Sequence, residues 1–114
     1  MSDDLFLKIV AGEIPADVVH ETDNVLAFRD VNPQASTHVL VIPKRRIPTV
    51  NDITEADAPL IGEMFLVAKA VAAAEGLAED GYRLVMNCNA HGGQTVFHIH
   101  LHVIGGRPMS WPPG

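Results

Sequence analysis

From His98 to Ile104 the chain reads His-Ile-His-Leu-His-Val-Ile, three histidines alternating with aliphatic residues. An extended strand sends successive side chains to opposite faces. As a strand, this stretch puts His98, His100 and His102 on one side and Ile99, Leu101 and Val103 on the other. The aliphatic side suits a core. Three imidazoles in a row are an expensive way to solvate a sheet, and clustered histidines are what metal sites and acid–base chemistry use. A glycine-rich loop, His91-Gly92-Gly93-Gln94-Thr95, leads into the strand, and a short tail from Gly105 to Gly114 follows it.

The alternation resembles the signature of the histidine-triad (HIT) family of nucleotide hydrolases and transferases. Gly92-Gly93-Gln94-Thr95-Val96-Phe97 before it, and Gly105-Gly106-Arg107 with Trp111-Pro112-Pro113-Gly114 after it, are similar to the Hint branch, the histidine-triad nucleotide-binding proteins. So are Phe28-Arg29-Asp30-Val31, Pro33-Gln34-Ala35 and Thr37 to Lys44. The likeness covers nearly the whole chain.

No internal repeat is visible, so residues 1–114 read as one HIT domain with residues 105–114 as its tail. A chain of 114 residues holds a single core but is marginal as a lone monomer. A net charge of −6 argues against a general nucleic-acid binder, which carries a basic face. It does not exclude a nucleotide, because backbone N–H groups and neutral side chains can hold one phosphate. The single cysteine, Cys88, has no intrachain partner, which fits a reducing compartment. Asp3 and Asp4 stand where a secretory signal would be basic, and no apolar run approaches membrane-spanning length. The expectation is a cytoplasmic protein that engages neither nucleic acid nor membrane.

Ser2-Asp3-Asp4 reads as an acidic cap on a short helix, Leu5 to Ala11, stopped at Gly12. Val18–Glu21, Val25–Val31 and His38–Pro43 read as three strands joined by turns at Thr22-Asp23-Asn24 and Asn32–Ser36, an antiparallel meander. Thr54-Glu55-Ala56-Asp57 opens the one long helix, with Pro59 tolerated in its opening turn. Leu60, Ile61, Met64, Phe65, Ala68 and Val71 form its sheet-facing stripe, and Gly76 or Gly81 ends it. Tyr82–Cys88 is the fourth strand and the triad strand the fifth. The class is α+β, a five-stranded antiparallel sheet with one long and one short helix. The resemblance implies a HIT-like fold whose sheet continues across a homodimer.

A neutral imidazole is a good nucleophile toward phosphorus, and double displacement at a nucleotide α-phosphate can run through a covalent nucleotidyl-histidine. The attacking nitrogen must be unprotonated, so the other ring nitrogen needs an acceptor such as a backbone carbonyl. The resemblance assigns nucleophilic attack to His100, its orientation to His98, and phosphate contact with leaving-group protonation to His102 and His38. On residue type alone His38 is equally a satisfied strand-start histidine. Glycines let a backbone approach a phosphate and turn N–H groups toward it. By resemblance Gly93 and Thr95 bind the phosphate, with Gln94 in the same loop, and threonine keeps the hydroxyl where the family often has serine.

The resemblance also makes Asn87 a phosphate–ribose contact and Asp30 the ribose anchor. The residues alone allow Asn87 to be a loop-capping amide and Asp30 a turn-starting carboxylate. Phe6, Phe28 and Val31 resemble base or sugar pocket residues, or are core. Lys44, Arg45 and Arg46 read as a solvated basic face, although several animal Hint members carry histidine where Arg46 stands. Trp111 lies on a proline-broken tail, which in the Hint branch reaches toward the partner's site; a disordered tail is the alternative.

The implied activity is hydrolysis of purine nucleoside phosphoramidates, cleaving the P–N bond between AMP or GMP and an amine, with no cofactor and no metal. A dinucleoside polyphosphate hydrolase of another HIT branch is the rival enzyme. A metal-binding protein and a nucleotide-dependent interaction module are the rivals of other classes. The outer triad histidines stand roughly 13 Å apart along a strand, so one ion rarely holds all three.

Overall fold

A computed structural model describes residues 4–114, so the expected cap residues Ser2 and Asp3 lie outside the described residues. Asp4 stands at the N-cap of α1 (Leu5–Val10) but makes no side-chain capping bond. Gly12 adopts φ +79°, the left-handed conformation that ends a helix at little cost to glycine.

Five strands, β1 (Val18–Glu21), β2 (Val25–Arg29), β3 (Thr37–Pro43), β4 (Arg83–Val85) and β5 (Leu101–Gly105), form one antiparallel sheet in the order β1-β2-β3-β5-β4. The expected meander of the first three strands is present. Two strands are shorter than their β-propensity suggested. β2 stops at Arg29: Asp30 N–H still donates to His38 O at 2.9 Å, but Asp30 Oδ1 accepts the Asn32 N–H at 2.9 Å and starts the turn. Only Arg83–Val85 of the expected Tyr82–Cys88 strand pairs, opposite Val85↔His102, before the chain turns into a one-turn helix, α3 (Asn89–Gly92).

The long helix begins later than its acidic opening suggested. Thr54 and Asp57 form a capping box around a 3-10 turn, Glu55–Asp57, and α2 then runs Ala58–Ala74 with Pro59 in its first turn. Its buried stripe is Met64, Val67, Ala68, Val71 and Ala72, the i, i+3, i+4, i+7, i+8 set. Phe65 was expected inward but is half-exposed. The helix is apolar round most of its circumference, so two overlapping stripes fit the sequence, and the sheet selects the narrower side chains.

That stripe packs on Val25, Ala27, Val39, Val41, Ile99, Leu101 and Val103. Each valine, leucine, isoleucine or methionine among them contributes about 1.5–3 kcal/mol by leaving water, and each alanine methyl less. The opposite face carries Leu26, Phe28, Leu40 and Ile42, covered by Phe6 of α1. Alternation therefore hands one face of the triad segment to the main core and the other to the space beneath α1.

Candidate active site

The triad is strand-like in its alternation but not in its pairing. β5 begins at Leu101, so His98 and His100, expected within the strand, precede it. The segment is anchored there by other bonds: Ile99 N–H donates to Ile47 O at 2.8 Å. Ile99, Leu101 and Val103 are buried on the α2 side as expected. His100 and His102 line a cavity of about 410 Å³ under α1, while His98 is fully enclosed behind them. Phe6 stands edge-on to the His98 and His100 rings, with centroids 5.5 Å and 5.2 Å away.

The hydrogen bonds fix which nitrogen of each ring carries a proton. His100 Nδ1–H donates to His98 O at 2.8 Å, since a carbonyl only accepts, so Nε2 keeps its lone pair. His98 Nε2–H likewise donates to Pro43 O at 2.7 Å, leaving Nδ1 an enclosed acceptor without a described partner. His38 Nδ1 accepts the Gln34 backbone N–H at 3.0 Å, so its proton is on Nε2. That proton faces His102 Nδ1 at 2.8 Å, which makes His102 Nδ1 an acceptor and Nε2 a donor. His102 Nε2–H is enclosed, with no partner among the described residues.

Burial pushes all three triad imidazoles below the ordinary histidine pKa, because their surroundings disfavour charge. For His102 burial is the main cause and its histidine neighbours add to it, bringing it down to about 4. Neutral rings are what a nucleophile and a tautomer-locked donor need at pH 7.

Asp30 takes the turn-starting role and keeps a second oxygen on the cavity side. One oxygen starts the turn, and Oδ2 lies 3.4 Å from His38 Nε2 at the cavity wall. Asp30, His38 and His102 bring ligand atoms within 4.8 Å of one another, a grouping that could suit a metal ion. The Gln34 N–H opposes it: an ion on His38 Nε2 would force the ring proton onto Nδ1, against that donor.

The glycine loop departs from expectation. The Gly93 N–H, expected to face a phosphate, donates to Ala90 O at 3.1 Å, and the Gln94 N–H donates to Asn89 O at 3.0 Å. Gly93 instead supplies the left-handed turn that ends α3, at φ +80°. The buried Gln94 amide is likewise consumed, accepting from Asn89 N–H and donating to Pro48 O and Val96 O. The cavity-facing part of the loop is Thr95 and Val96, whose N–H groups have no backbone partner among the described residues.

Phe28 and Val31 also line the cavity, Phe28 buried and Val31 almost fully exposed at its mouth. Leu5, Ile9, Ile14, Pro15 and Ala16, which sequence reasoning did not single out, complete an apolar wall. Asn87 is half-buried outside the cavity lining, its backbone packed against Gly92. Trp111 is 83% exposed and stands away from the cavity of its own chain. The basic run is not a uniform solvated face. Lys44 pairs with Glu21 and Arg45 with Asp57, whereas Arg46 turns inward and donates from Nε to Phe97 O at 2.9 Å.

The family model for the HIT domain matches residues 11–109. The purine nucleoside phosphoramidase of Escherichia coli (strain K12) is 55% identical over 105 residues, 92% of this chain and 88% of that protein. An uncharacterized HIT-like protein of a Synechocystis species is 55% identical over 112 residues, 98% of this chain and 97% of its own. Among solved structures, a HIT family hydrolase from Legionella pneumophila Philadelphia 1 superimposes with TM-score 0.95 at 59% identity, covering 96% of this chain and 98% of that one.

Proposed function

The chain belongs to the HIT domain family, and we propose that it is a hydrolase of purine nucleoside phosphoramidates working through a nucleotidyl-histidine at His100. The observation that carries this reading is the Nδ1–H bond from His100 to the His98 carbonyl, which leaves a neutral nucleophilic Nε2 on a cavity-lining ring. The relative named for this activity supports the substrate class.

In the proposed reaction the His100 Nε2 lone pair attacks the α-phosphorus and the P–N bond breaks. The departing nitrogen takes up a proton on the loop side, where Thr95 is exposed and its hydroxyl can pass one from water. Water then attacks the phosphorus, releasing a proton to solvent, and the N–P bond electrons return to Nε2 as the nucleotide leaves. His102 Nε2–H, an enclosed donor, bonds a phosphoryl oxygen, with its tautomer set by His38. His98 orients the nucleophile through its main-chain carbonyl rather than its ring. Asp30 accepts the ribose hydroxyls, Thr95 and Val96 hold the phosphate from the loop, and Gln94 and Gly93 shape that loop. Phe6, Phe28 and Val31 bound a base pocket whose apolar lining selects a flat ring by size. Asn87, which follows β4 and lies outside the cavity lining, reaches the phosphate–ribose region only through a contact made when the nucleotide is bound.

The reading includes a homodimer. β4 is a three-residue edge strand, and exposed Phe65, Leu66 and Trp111 add apolar surface that a second copy would cover. No helix of the described residues is long and apolar enough to cross a membrane. A lone, half-buried Cys88 fits the cytoplasm.

The test is single-turnover hydrolysis of an adenosine phosphoramidate by the wild type and His100→Ala, with chelator present throughout. Wild-type turnover, a nucleotidyl adduct seen by mass spectrometry, and loss of both in the variant are expected. Activity restored only by a metal ion, or retained without His100, overturns the reading.

A further inference from the structure

Alternation places Asp30 and His38 on the cavity face of the sheet, and their chain neighbours Arg29 and Thr37 on the face beneath, toward α2. One carboxylate reaches that underside. Glu75, at the C-cap of α2, accepts from Arg29 Nη1 at 2.8 Å and Nη2 at 3.0 Å. It also accepts from Thr37 Oγ1 at 3.3 Å. Arg29 is further tied to Asp17 at 3.5 Å, and its N–H donates to Asp17 O at 2.9 Å. On the upper side, Asp30 N–H donates to His38 O at 2.9 Å, so the two strand ends move as one unit. The Arg29 bond holds the Glu75 carboxyl below the usual carboxylate range, so it is charged throughout the neutral region.

A bidentate guanidinium–carboxylate pair restricts two angles at once, which a single hydrogen bond does not. Here it is anchored in the long helix, while Asp30, one residue beyond the pair, keeps its N–H bond to His38 O but turns its side chain to the Asn32 turn. Without the pair, the last strand hydrogen bonds, the Asn32 turn and the 3.4 Å contact of Oδ2 with His38 Nε2 would set the Asp30 side chain.

We propose that Glu75 is a positioning residue: through Arg29 and from behind the sheet, it sets the Asp30 carboxylate for a ribose. This rests on the reading of Asp30 as ribose anchor given above.

The experiment compares full-length Glu75→Gln with wild type on an adenosine phosphoramidate and on its 2′,3′-dideoxy counterpart. The expected result is a KM about tenfold higher for the ribonucleoside substrate, kcat within about twofold, and no added penalty on the dideoxy substrate. In an Asp30→Asn background the same substitution then changes KM little, because the two act on one contact. A role confined to stability gives a different pattern, a lower melting temperature and lower kcat with KM unchanged, and overturns the proposal. So does an equal KM rise on both substrates. Arg29→Lys keeps the charge and loses the bidentate geometry; it reads the same split should Glu75→Gln fail to fold, with an unchanged ribonucleoside KM counting against the proposal. Asp30→Asn alone tests the premise. No KM rise there overturns the anchor assignment and the proposal together, whereas a rise there with none in Glu75→Gln overturns only the clamp.

Discussion

His38 Nε2 lies 2.8 Å from His102 Nδ1, and the proton between them belongs to His38 because the Gln34 N–H occupies the other nitrogen of its ring. His102 is thereby committed to donating from Nε2. His38→Ala removes that instruction and lets His102 carry its proton on Nδ1, facing away from the phosphate. The expected loss in kcat/KM is on the order of 10²-fold, the scale of one hydrogen-bond donor aimed at the charge developing on the phosphoryl oxygens. His38→Gln, whose amide can place a donor near the lost Nε2–H, should recover part of it. Steady-state kinetics of the two variants checks this; equal losses would show that the donor to His102 is immaterial.

Acid should destabilise the fold in a window set by the buried imidazoles. A histidine whose folded pKa lies below its unfolded value takes up a proton on unfolding, so stability rises with pH across the interval between the two. For His102 that interval runs from about 4 to its ordinary 6.5, and His98 and His100 shift the same way. Stability is therefore complete above about pH 6.5 and falls as pH drops. The carboxylates with lowered pKa, Glu63 and Glu75 among them, titrate below 4.5 and add their loss later. Thermal melts between pH 7.5 and 4.5 should show the midpoint falling already above pH 5; a flat profile down to 4.5 would contradict burial of neutral rings.

Gln94 makes three hydrogen bonds from a buried amide. Gln94→Leu keeps the approximate volume but leaves the Asn89 N–H and the Pro48 and Val96 carbonyls without that partner. A cost of about 1–3 kcal/mol follows for groups left unsatisfied in a buried setting. Urea unfolding measures it, and KM should rise as the Thr95–Val96 segment loses its brace. A neutral effect on both would mean that the loop is held by α3 alone.

What the sequence made legible follows from period and chemistry. The His-φ-His-φ-His alternation placed Ile99, Leu101 and Val103 in the main core and two histidines at the cavity, because side-chain period survives even where strand pairing does not. The turn-starting role of Asp30 was also visible, since a carboxylate ahead of Asn32-Pro33 can accept a nearby main-chain N–H, which leaves Oδ2 beside His38 at the cavity wall. Gly93 misled because composition shows where a backbone can turn but not which carbonyl claims its N–H, and a one-turn helix was not apparent from Asn89-Ala90-His91-Gly92. Arg46 and Glu75 escaped for a related reason: their partners, Phe97 O and Arg29, are remote in sequence, and no local pattern marks a long-range pairing.

The tail is held where the proposed second copy would meet it. Arg107 Nη2 donates to Gln34 O at 3.2 Å, and Arg83 Nη2, from edge strand β4, donates to Ser110 O at 2.9 Å. These bonds tie the tail first to the turn between β2 and β3 and then to edge strand β4, and leave Trp111 exposed and outside the lining of its own cavity. In a dimer paired through that edge, the indole would stand near the leaving-group side of the neighbouring site. Trp111→Ala should then lower kcat/KM about tenfold more for a phosphoramidate of a bulky amine than for one of a small amine, with a modest fall in melting temperature because the indole's contact with the second copy is lost. Sedimentation should give a dimer for wild type and variant alike. Equal losses on both amines would remove Trp111 from leaving-group selection, and a monomeric wild type would remove the partner it is meant to reach.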